Sequence, residues 1–307
     1  MQNTNNNLSI TGRVKAVLGG MGFALCGVTD AGAIGEQEQV LLRQWIDSGY
    51  CADMNYMRKN FEKRVNPAKL LEGAKSVICV GFHYKSPHDG GGAGHFASYA
   101  MHEDYHKFIK DKLFAAVAII KGFAGDFRFK VCVDSAPVAE RSLANRAGLG
   151  FIGKNHLLIN PQFGCKILLG EIITDLELDR DNPIASQCSG CGKCVQACPG
   201  GALREDGMLD AKKCISYLTI EHSGEIPAEL KAKFGGSIFG CDRCIRACPF
   251  EQNAPANTND GFAFRHDIAA LRREEILAMD AKAFEQVFSN TAIYRTGLAK
   301  LKANAAL

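Results

Sequence analysis

The sequence has no apolar run near the roughly 20 residues that a membrane-spanning helix needs. Residues 1–10 (MQNTNNNLSI) carry neither a basic region nor an apolar core, so no export signal is read there. A cytoplasmic, membrane-free protein is expected, with MQNTNNN as a disordered tip. No G-x-G-x-x-G follows a strand-like segment, which removes the usual dinucleotide fingerprint. The run Gly90-Gly91-Gly92-Ala93-Gly94 reads as a loop rather than a phosphate cradle. Charge of one sign is also scarce. The net charge of +3 neither marks a nucleic-acid binder nor excludes a local basic face. There are no internal repeats and no low-complexity linkers. A chain of 307 residues with 47% hydrophobic content is long enough for one large core and a smaller satellite domain.

Cysteine is what the sequence has in excess, with 13 residues. In a reducing compartment these are thiols, so ligation or catalysis is favoured over a disulfide framework. One run is Cys188-x2-Cys191-x2-Cys194-x3-Cys198-Pro199. Another is Cys241-x2-Cys244-x3-Cys248-Pro249, with Cys214 upstream. Each resembles half of a bacterial two-cluster ferredoxin. There, closely spaced thiolates on a tight loop hold one [4Fe–4S] cluster, and the cysteine before proline ligates the other. Carried over, one cluster takes Cys188, Cys191, Cys194 and Cys248, and the other takes Cys198, Cys214, Cys241 and Cys244. Cys214 stands where the second run would have its first cysteine, 26 residues (215–240) before Cys241. A zinc ribbon also uses C-x2-C pairs, but it needs four ligands rather than eight and gives no reason for two cysteine–proline endings. The remaining Cys26, Cys51, Cys79, Cys132 and Cys165 read as ordinary buried small residues.

The cluster segment covers about residues 181–255. Before it, residues 36–47 read as a helix with Val40, Leu41 and Trp45 on one side. Residues 75–82 read as a buried strand. Residues 103–121 give the cleanest helix, with Tyr105, Phe108, Ile109, Leu113, Ala116, Val117 and Ile120 at i+3/i+4 steps. Residues 127–133 alternate like a half-buried strand that runs into Asp134. A turn at Ser135-Ala136-Pro137 leads into a helix over 138–146, ended by Gly148 and Gly150. Residues 165–174 read as another strand. The expected architecture is therefore an α+β or α/β domain over 1–180, a ferredoxin-like two-cluster domain over 181–255, and a helical C-terminal segment over 256–307.

The order of motifs resembles the epoxyqueuosine reductase family. The segments that carry the resemblance are Val133-Asp134-Ser135-Ala136-Pro137-Val138-Ala139-Glu140-Arg141, Arg146-Ala147-Gly148-Leu149-Gly150-Phe151-Ile152-Gly153-Lys154-Asn155 and Cys214-Ile215-Ser216-Tyr217-Leu218-Thr219-Ile220-Glu221. Further matches are Tyr56-Met57-Arg58, Ser98-Tyr99-Ala100 and Asp104-Tyr105-His106-Lys107. Phe239-Gly240-Cys241-Asp242 departs from a common tyrosine in the first position. Lys302-Ala303-Asn304 stands where the family usually has Arg-Asn. Longer members continue into a helical-repeat domain, which is not expected here.

The resemblance implies an enzyme that uses cobalamin and two [4Fe–4S] clusters to reduce epoxyqueuosine, at the wobble position of tRNA, to queuosine. It would be a monomer fed by an external electron donor. Removing the epoxide oxygen as water takes two electrons and a proton source. Asp134 matches the family's proposed proton donor, and burial against apolar surface and a cofactor face is expected to raise its pKa. Without the resemblance, Asp134 reads as a turn or N-cap residue. Arg58, Lys154, Asn155, His156, Ser216 and His222 are expected to contact cobalamin. Tyr105 and His106 are expected to line the substrate pocket. His83, His95, His102 and His106 lie in no motif that marks a cobalt ligand. Arg265, Arg272, Arg273, Arg295, Lys300 and Lys302 are the candidate tRNA contacts. The competing readings are a cobalamin-dependent reductive dehalogenase and a ferredoxin-type electron carrier.

Overall fold

The structure is a computed structural model and describes residues 8–88, 95–188, 190–257 and 261–307. The expected N-terminal tip and the glycine run at 90–94 lie outside the described residues. Strands β1 (Leu25–Asp30), β2 (Ser76–His83) and β3 (Phe129–Cys132) belong to the main sheet. The short strands β4 (Phe151–Ile152) and β5 (Leu158–Ile159) form a separate hairpin, and β6 (Ile167–Thr174) returns to the main sheet. The sheet order is β1-β2-β6-β3. Every neighbouring pair is antiparallel, with Leu25 opposite Gly81, His83 opposite Ile167 and Cys132 opposite Glu171. This pairing selects α+β over α/β, because a doubly wound α/β sheet would have parallel neighbours.

Helices cover both faces of the sheet. Side chains alternate across a strand, so Ile78, Val80 and Phe82 of β2 join Val28, Leu168 and Ile172 on one face. The N-terminal helix Ile10–Gly20 and the long helix Tyr105–Ala124 seal that face through Val14, Leu18, Ile109, Leu113 and Val117. Val77, Cys79, Cys132 and Ile173 point the other way and meet Leu143, Ala144 and Ala147 of the helix Glu140–Arg146 and its end. β2 is consequently buried along its whole length.

Two glycines set the spacing between the layers. A Cβ on Gly170 of β6 would fall 2.8 Å from Ile109, so its absence lets the long helix sit against the sheet. A Cβ on Gly27 of β1 would fall 1.9 Å from the Ala147 carbonyl oxygen. Gly27→Ala is therefore expected to destabilise the fold by about 1–3 kcal/mol through overpacking. A denaturant melt would show this as a lower midpoint at unchanged slope.

The helix Glu36–Asp47 forms where expected, but with a different buried face. Val40 and Leu41 are 47% and 44% exposed. Ile46 is buried, Leu42 and Trp45 pack beside it, and Trp45 Nε1 donates to the Leu209 carbonyl at 2.6 Å. The helix turns its tryptophan toward the cluster segment rather than toward the apolar pair preceding it. The helix Ile10–Gly20, β1 and the β4–β5 hairpin have no counterpart in the sequence reading, and the helix Leu298–Ala305 lies inside the expected C-terminal helical segment. The C-terminal helices Arg273–Ala278, Ala281–Phe288 and Leu298–Ala305 pack around Phe96, Ala100, Met101, Ile238 and Phe239. Among the described residues, no helix is long and apolar enough to cross a membrane.

Candidate functional site

The cysteine runs fold as tight loops leading into one-turn helices, Lys193–Gln196 and Arg243–Arg246, which lie against each other. Gly190 and Gly192 take φ +61°, which reverses the chain between Cys188, Cys191 and Cys194. These three cysteines and Cys248 line one cavity of about 250 Å³, together with Lys154, Asn155, Ile159, Gln187, Pro249 and Phe250. Cys214 and Cys244 each sit in the electrostatic reach of Cys198 and Cys241, which brings the other four cysteines together. Among the described residues, no three Cys, His, Asp or Glu side chains converge as a single metal ion would require. Sulfurs set around a void suit a polynuclear cluster better than one ion.

Backbone N–H groups point at the sulfurs. Lys154 N–H approaches Cys188 Sγ at 3.4 Å, and Ala202 N–H approaches Cys198 Sγ at 3.2 Å. Such donors favour thiolate and tune cluster potential. Burial, then neighbouring Cys214 and Cys241, pushes the Cys244 thiol up to about 12, and burial also raises Cys194 and Cys214. A bound cluster must replace these protons. Cys165 is buried as expected, and it packs with Cys248, with Asn155 Nδ2 3.8 Å from its sulfur. Cys51, Cys79 and Cys132 are buried as expected, and Cys26 is half-buried. We expect Cys194→Ser and Cys241→Ser each to lose about half the iron of the reconstituted protein, measured by iron and sulfide analysis.

A second centre forms where β3 ends. Val133 is fully buried, and Ser135 N–H returns to the Val133 carbonyl at 2.6 Å across Asp134. Asp134 has φ +54°, so this is the rarer, strained hand of three-residue turn. The turn throws the Asp134 carboxylate toward the start of the long helix. There His106 Nε2 meets Asp134 Oδ2 at 2.9 Å, and His106 Nδ1 meets Asp104 Oδ1 at 2.7 Å. Asp104 is also the helix N-cap, accepting from His106 N–H.

The two carboxylates decide where the proton sits. Burial opposes charge on His106, but Asp104 and Asp134 outweigh it and raise its pKa above 6.5. Burial also pushes Asp134 up, yet the His106 hydrogen bond and charge, with Arg295 and Tyr105, bring it below 3.8. The direction at Asp134 is opposite to the expected rise, because the His106 hydrogen bond and charge outweigh burial. Asp134→Asn is expected to lower the pH at which His106 releases its proton, read from the imidazole resonances in a histidine-labelled sample.

Asp134 is half open, with 49% of its side chain exposed, yet residues from four segments lie around it: Tyr56, Tyr105 with His106, Glu140 with Arg141, and Arg295. Arg141 donates to the His156 carbonyl. Burial and then Arg141 push the His156 ring down to about 4, and burial followed by Glu221 and Asp134 pushes Tyr56 up to about 12. Tyr56 and Arg141 are desolvated although both reach the surface, as side chains on the wall of an open recess are. The β4–β5 hairpin joins the two centres. Lys154 and Asn155 line the cysteine cavity, and the carbonyl of the next residue, His156 at φ +60°, accepts from Arg141, whose charge acts on Asp134.

The other sequence candidates fall into two groups. Arg58 and Lys154 have exposed side chains. Asn155 is buried, and its Oδ1 accepts from Leu157 N–H. Ser216 is half-buried, and its carbonyl accepts from Thr219. His222 pairs with Asp53 at 2.9 Å beside Tyr217, whose hydroxyl donates to Asp53 at 2.6 Å. His95 bonds the Gly236 carbonyl, and His102 stacks on Phe262, which are packing roles. The C-terminal cations do not form one open basic face. Arg265 pairs with Asp267, Arg272 pairs with Glu275, and Arg273 donates to the Ala305 carbonyl. Lys300 donates to the Leu218 and His222 carbonyls, and Asn304 to those of Thr219 and Ile238. Arg295 faces the recess, and Lys302 is half-buried. Asp104, Glu140, Arg141 and Tyr56 were given no role from sequence, although all four lie inside the quoted motifs.

Two family models match the chain. One, described as a 4Fe-4S double cluster binding domain, matches residues 187–251. The other, described as epoxyqueuosine reductase QueG, DUF1730, matches residues 64–135. The epoxyqueuosine reductase of Cyclobacterium marinum is 40% identical over 287 residues, covering 92% of this chain and 91% of that one. A crystal structure of epoxyqueuosine reductase with a tRNA-Tyr epoxyqueuosine-modified stem loop superimposes with TM-score 0.89 at 29% identity, covering 95% of this chain and 79% of that chain. The Bacillus subtilis enzyme, seen with its catalytic loop swung out of the active site, gives TM-score 0.88 at 28% identity with the same coverage. A reductive dehalogenase shares the fold alone, at TM-score 0.50 and 16% identity.

Proposed function

The chain belongs to the epoxyqueuosine reductase family, and from that premise we propose that it reduces epoxyqueuosine in tRNA to queuosine. The observation that carries this reading is the adjacency of two centres. A cavity walled by four cysteines and a recess holding the Asp104–His106–Asp134 chain share one hairpin loop, residues 153–156. Electron delivery and proton delivery are thereby brought to one place. We assign residues 1–180 to the catalytic unit, 181–255 to the cluster unit and 256–307 to a C-terminal segment that carries Arg295 into the recess.

The residues present fit the groups that this chemistry needs. The two sets of four cysteines suit two [4Fe–4S] clusters. The half-open recess, rimmed by Tyr56, Arg141, His156 and Arg295, suits a large cofactor with amide and phosphate oxygens. Bound there, cobalamin would supply low-valent cobalt, and the clusters would supply single electrons from an external donor. Arg58, Lys154, Ser216 and His222 are the remaining side chains we assign to holding it.

What the protein itself contributes is proton control. Conversion of an epoxide to an alkene consumes two electrons and two protons and releases water. Asp134 faces the opening of the recess and hands on a proton held by His106, whose pKa its two carboxylate partners raise. Asp104 keeps the imidazole aligned from behind, as a carboxylate does for a catalytic histidine. The tRNA reaches the recess from its open side, where Arg295 acts on the charge of Asp134. Neither alternative reading has a feature of its own. The dehalogenase likeness is one of fold, and an electron carrier has no use for a recess beside its clusters.

The test is an anaerobic assay of reconstituted protein with cobalamin, a strong reductant and epoxyqueuosine-containing tRNA, followed by mass spectrometry of the nucleosides. Loss of one oxygen mass is expected, and Asp134→Ala should abolish it. Turnover should decline as pH rises through the raised pKa of His106, since the proton stored there is present below it and lost above it. Unchanged nucleoside in the presence of both bound cofactors would refute the substrate. Full activity of Asp134→Ala would remove its role.

A further inference from the structure

Glu171 is a carboxyl group in the middle of a hydrophobic sheet. It lies on β6 between Cys79 of β2 and Cys132 of β3, and it is 0% exposed. Its side chain points to the same face as Leu169 and Ile173, toward the helix Glu140–Arg146. Neither of its oxygens has an N–H or O–H donor among the described residues. An ionised carboxylate in that setting would be prohibitively costly. The group it does touch is another carboxyl, that of Glu140. Two carboxyl groups can bond each other only when one carries a proton.

Glu140 in turn reaches the Asp134 turn. Its Oε1 accepts the Asp134 backbone N–H at 2.5 Å. That peptide leads into the φ +54° conformation which aims Asp134 at His106. A strained turn persists only where its surroundings hold it, and this hydrogen bond is the one that fixes its amide. Resting on the reading of Asp134 in the proposed function, we propose that Glu140 is the positioning residue for Asp134 and that Glu171 supplies the shared proton which keeps Glu140 in place.

The surrounding charges agree with a one-proton pair. Asp134, Arg141 and Glu171 face Glu140, and Arg64 feels its charge from the neighbouring helix. Glu140, Asp134 and the thiols Cys79 and Cys132 surround Glu171. Among the described residues Arg64 and Arg141 act on Glu140 and no cation acts on Glu171 itself, although Arg146 reaches its neighbour Cys79 and Lys110 and Lys130 reach Cys132. Ionisation therefore falls on Glu140, while Glu171 keeps the proton. Burial and the Asp134 charge raise Glu140, and burial followed by Glu140 holds Glu171 well above the ordinary carboxyl range. Glu171 donates to one Glu140 oxygen, leaving Oε1 for the Asp134 amide.

The experiment has two parts, both on the cluster-loaded protein. Infrared difference spectra in H2O and D2O at pH 8 should show the carbonyl stretch of a protonated, non-hydrated carboxylic acid. A component of that band should vanish in Glu171→Gln. A band absent from the unmodified protein, or fully retained in Glu171→Gln, overturns the shared proton. The second part reads the position of Asp134. In Glu140→Ala the His106 pKa should fall toward its ordinary value as Asp134 swings away, and kcat should drop by about a hundredfold with the KM for tRNA little changed. Glu171→Gln, whose amide donates where the acid did, should keep both the His106 pKa and most of the turnover, whereas Glu171→Leu should behave like Glu140→Ala. An unaltered His106 pKa in Glu140→Ala refutes the positioning role. If the unmodified enzyme leaves epoxyqueuosine untouched, the function is wrong, and the infrared and His106 results still decide this pair.

Discussion

The structure turns on one long-range meeting, that of Cys248 with Cys188, Cys191 and Cys194. Cys248 lines the same cavity as thiols more than fifty residues earlier in the chain. The segment that carries it packs Phe250 edge-on against Phe151. Ile245 and Cys248 share a core with Phe151, Ile159 and Cys165. The β4–β5 hairpin is thereby pinned between the cysteine cavity and the sheet domain. Its loop spans the gap, with Lys154 N–H on a sulfur at one end and the His156 carbonyl on Arg141 at the other. The electron-carrying part and the proton-carrying part are held in register by four residues.

Around the recess the electrostatics form a graded series. Asp134 and Asp104 sit below the ordinary aspartate value because a histidine stands between them. Glu140 sits above the ordinary glutamate value because of burial and the Asp134 charge, and Glu171 because of burial and Glu140. Carboxyl groups within a few residues of one another are thus driven in opposite directions, which is the arrangement that separates proton-holding from proton-accepting roles. The same recess draws Arg295 inward, so a residue from the C-terminal segment takes part in setting the charge on Asp134.

How much of this was legible in the sequence differed by element. The long helix, β2 and β6 were readable because their patterns follow a single period and face a single core. The helix Glu36–Asp47 was readable as a helix but not as a face, since its packing is decided by the Leu209 carbonyl far along the chain. β1 and the β4–β5 hairpin were missed because Gly27 interrupts one and the other is only two residues per strand. Of the C-terminal cations that the sequence offers for tRNA, Arg265 and Arg272 pair with Asp267 and Glu275, and Arg273 donates to the Ala305 carbonyl, partners that the sequence pattern does not show.

The sequence by itself determined the cofactor chemistry and the family. Cysteine–x2–cysteine spacing and a following proline are local properties, as short-range as the loops they specify. It also singled out Asp134, through the motif in which that residue stands. Tertiary structure alone decided the protonation states and the partners. Whether Asp134 is raised or lowered depends on His106, 28 residues away, and whether Glu171 is a costly charge or a neutral acid depends on Glu140, across a packed interface. Spacing along the chain does not encode such distances, because they arise only when the sheet, the long helix and the helix Glu140–Arg146 close on one another.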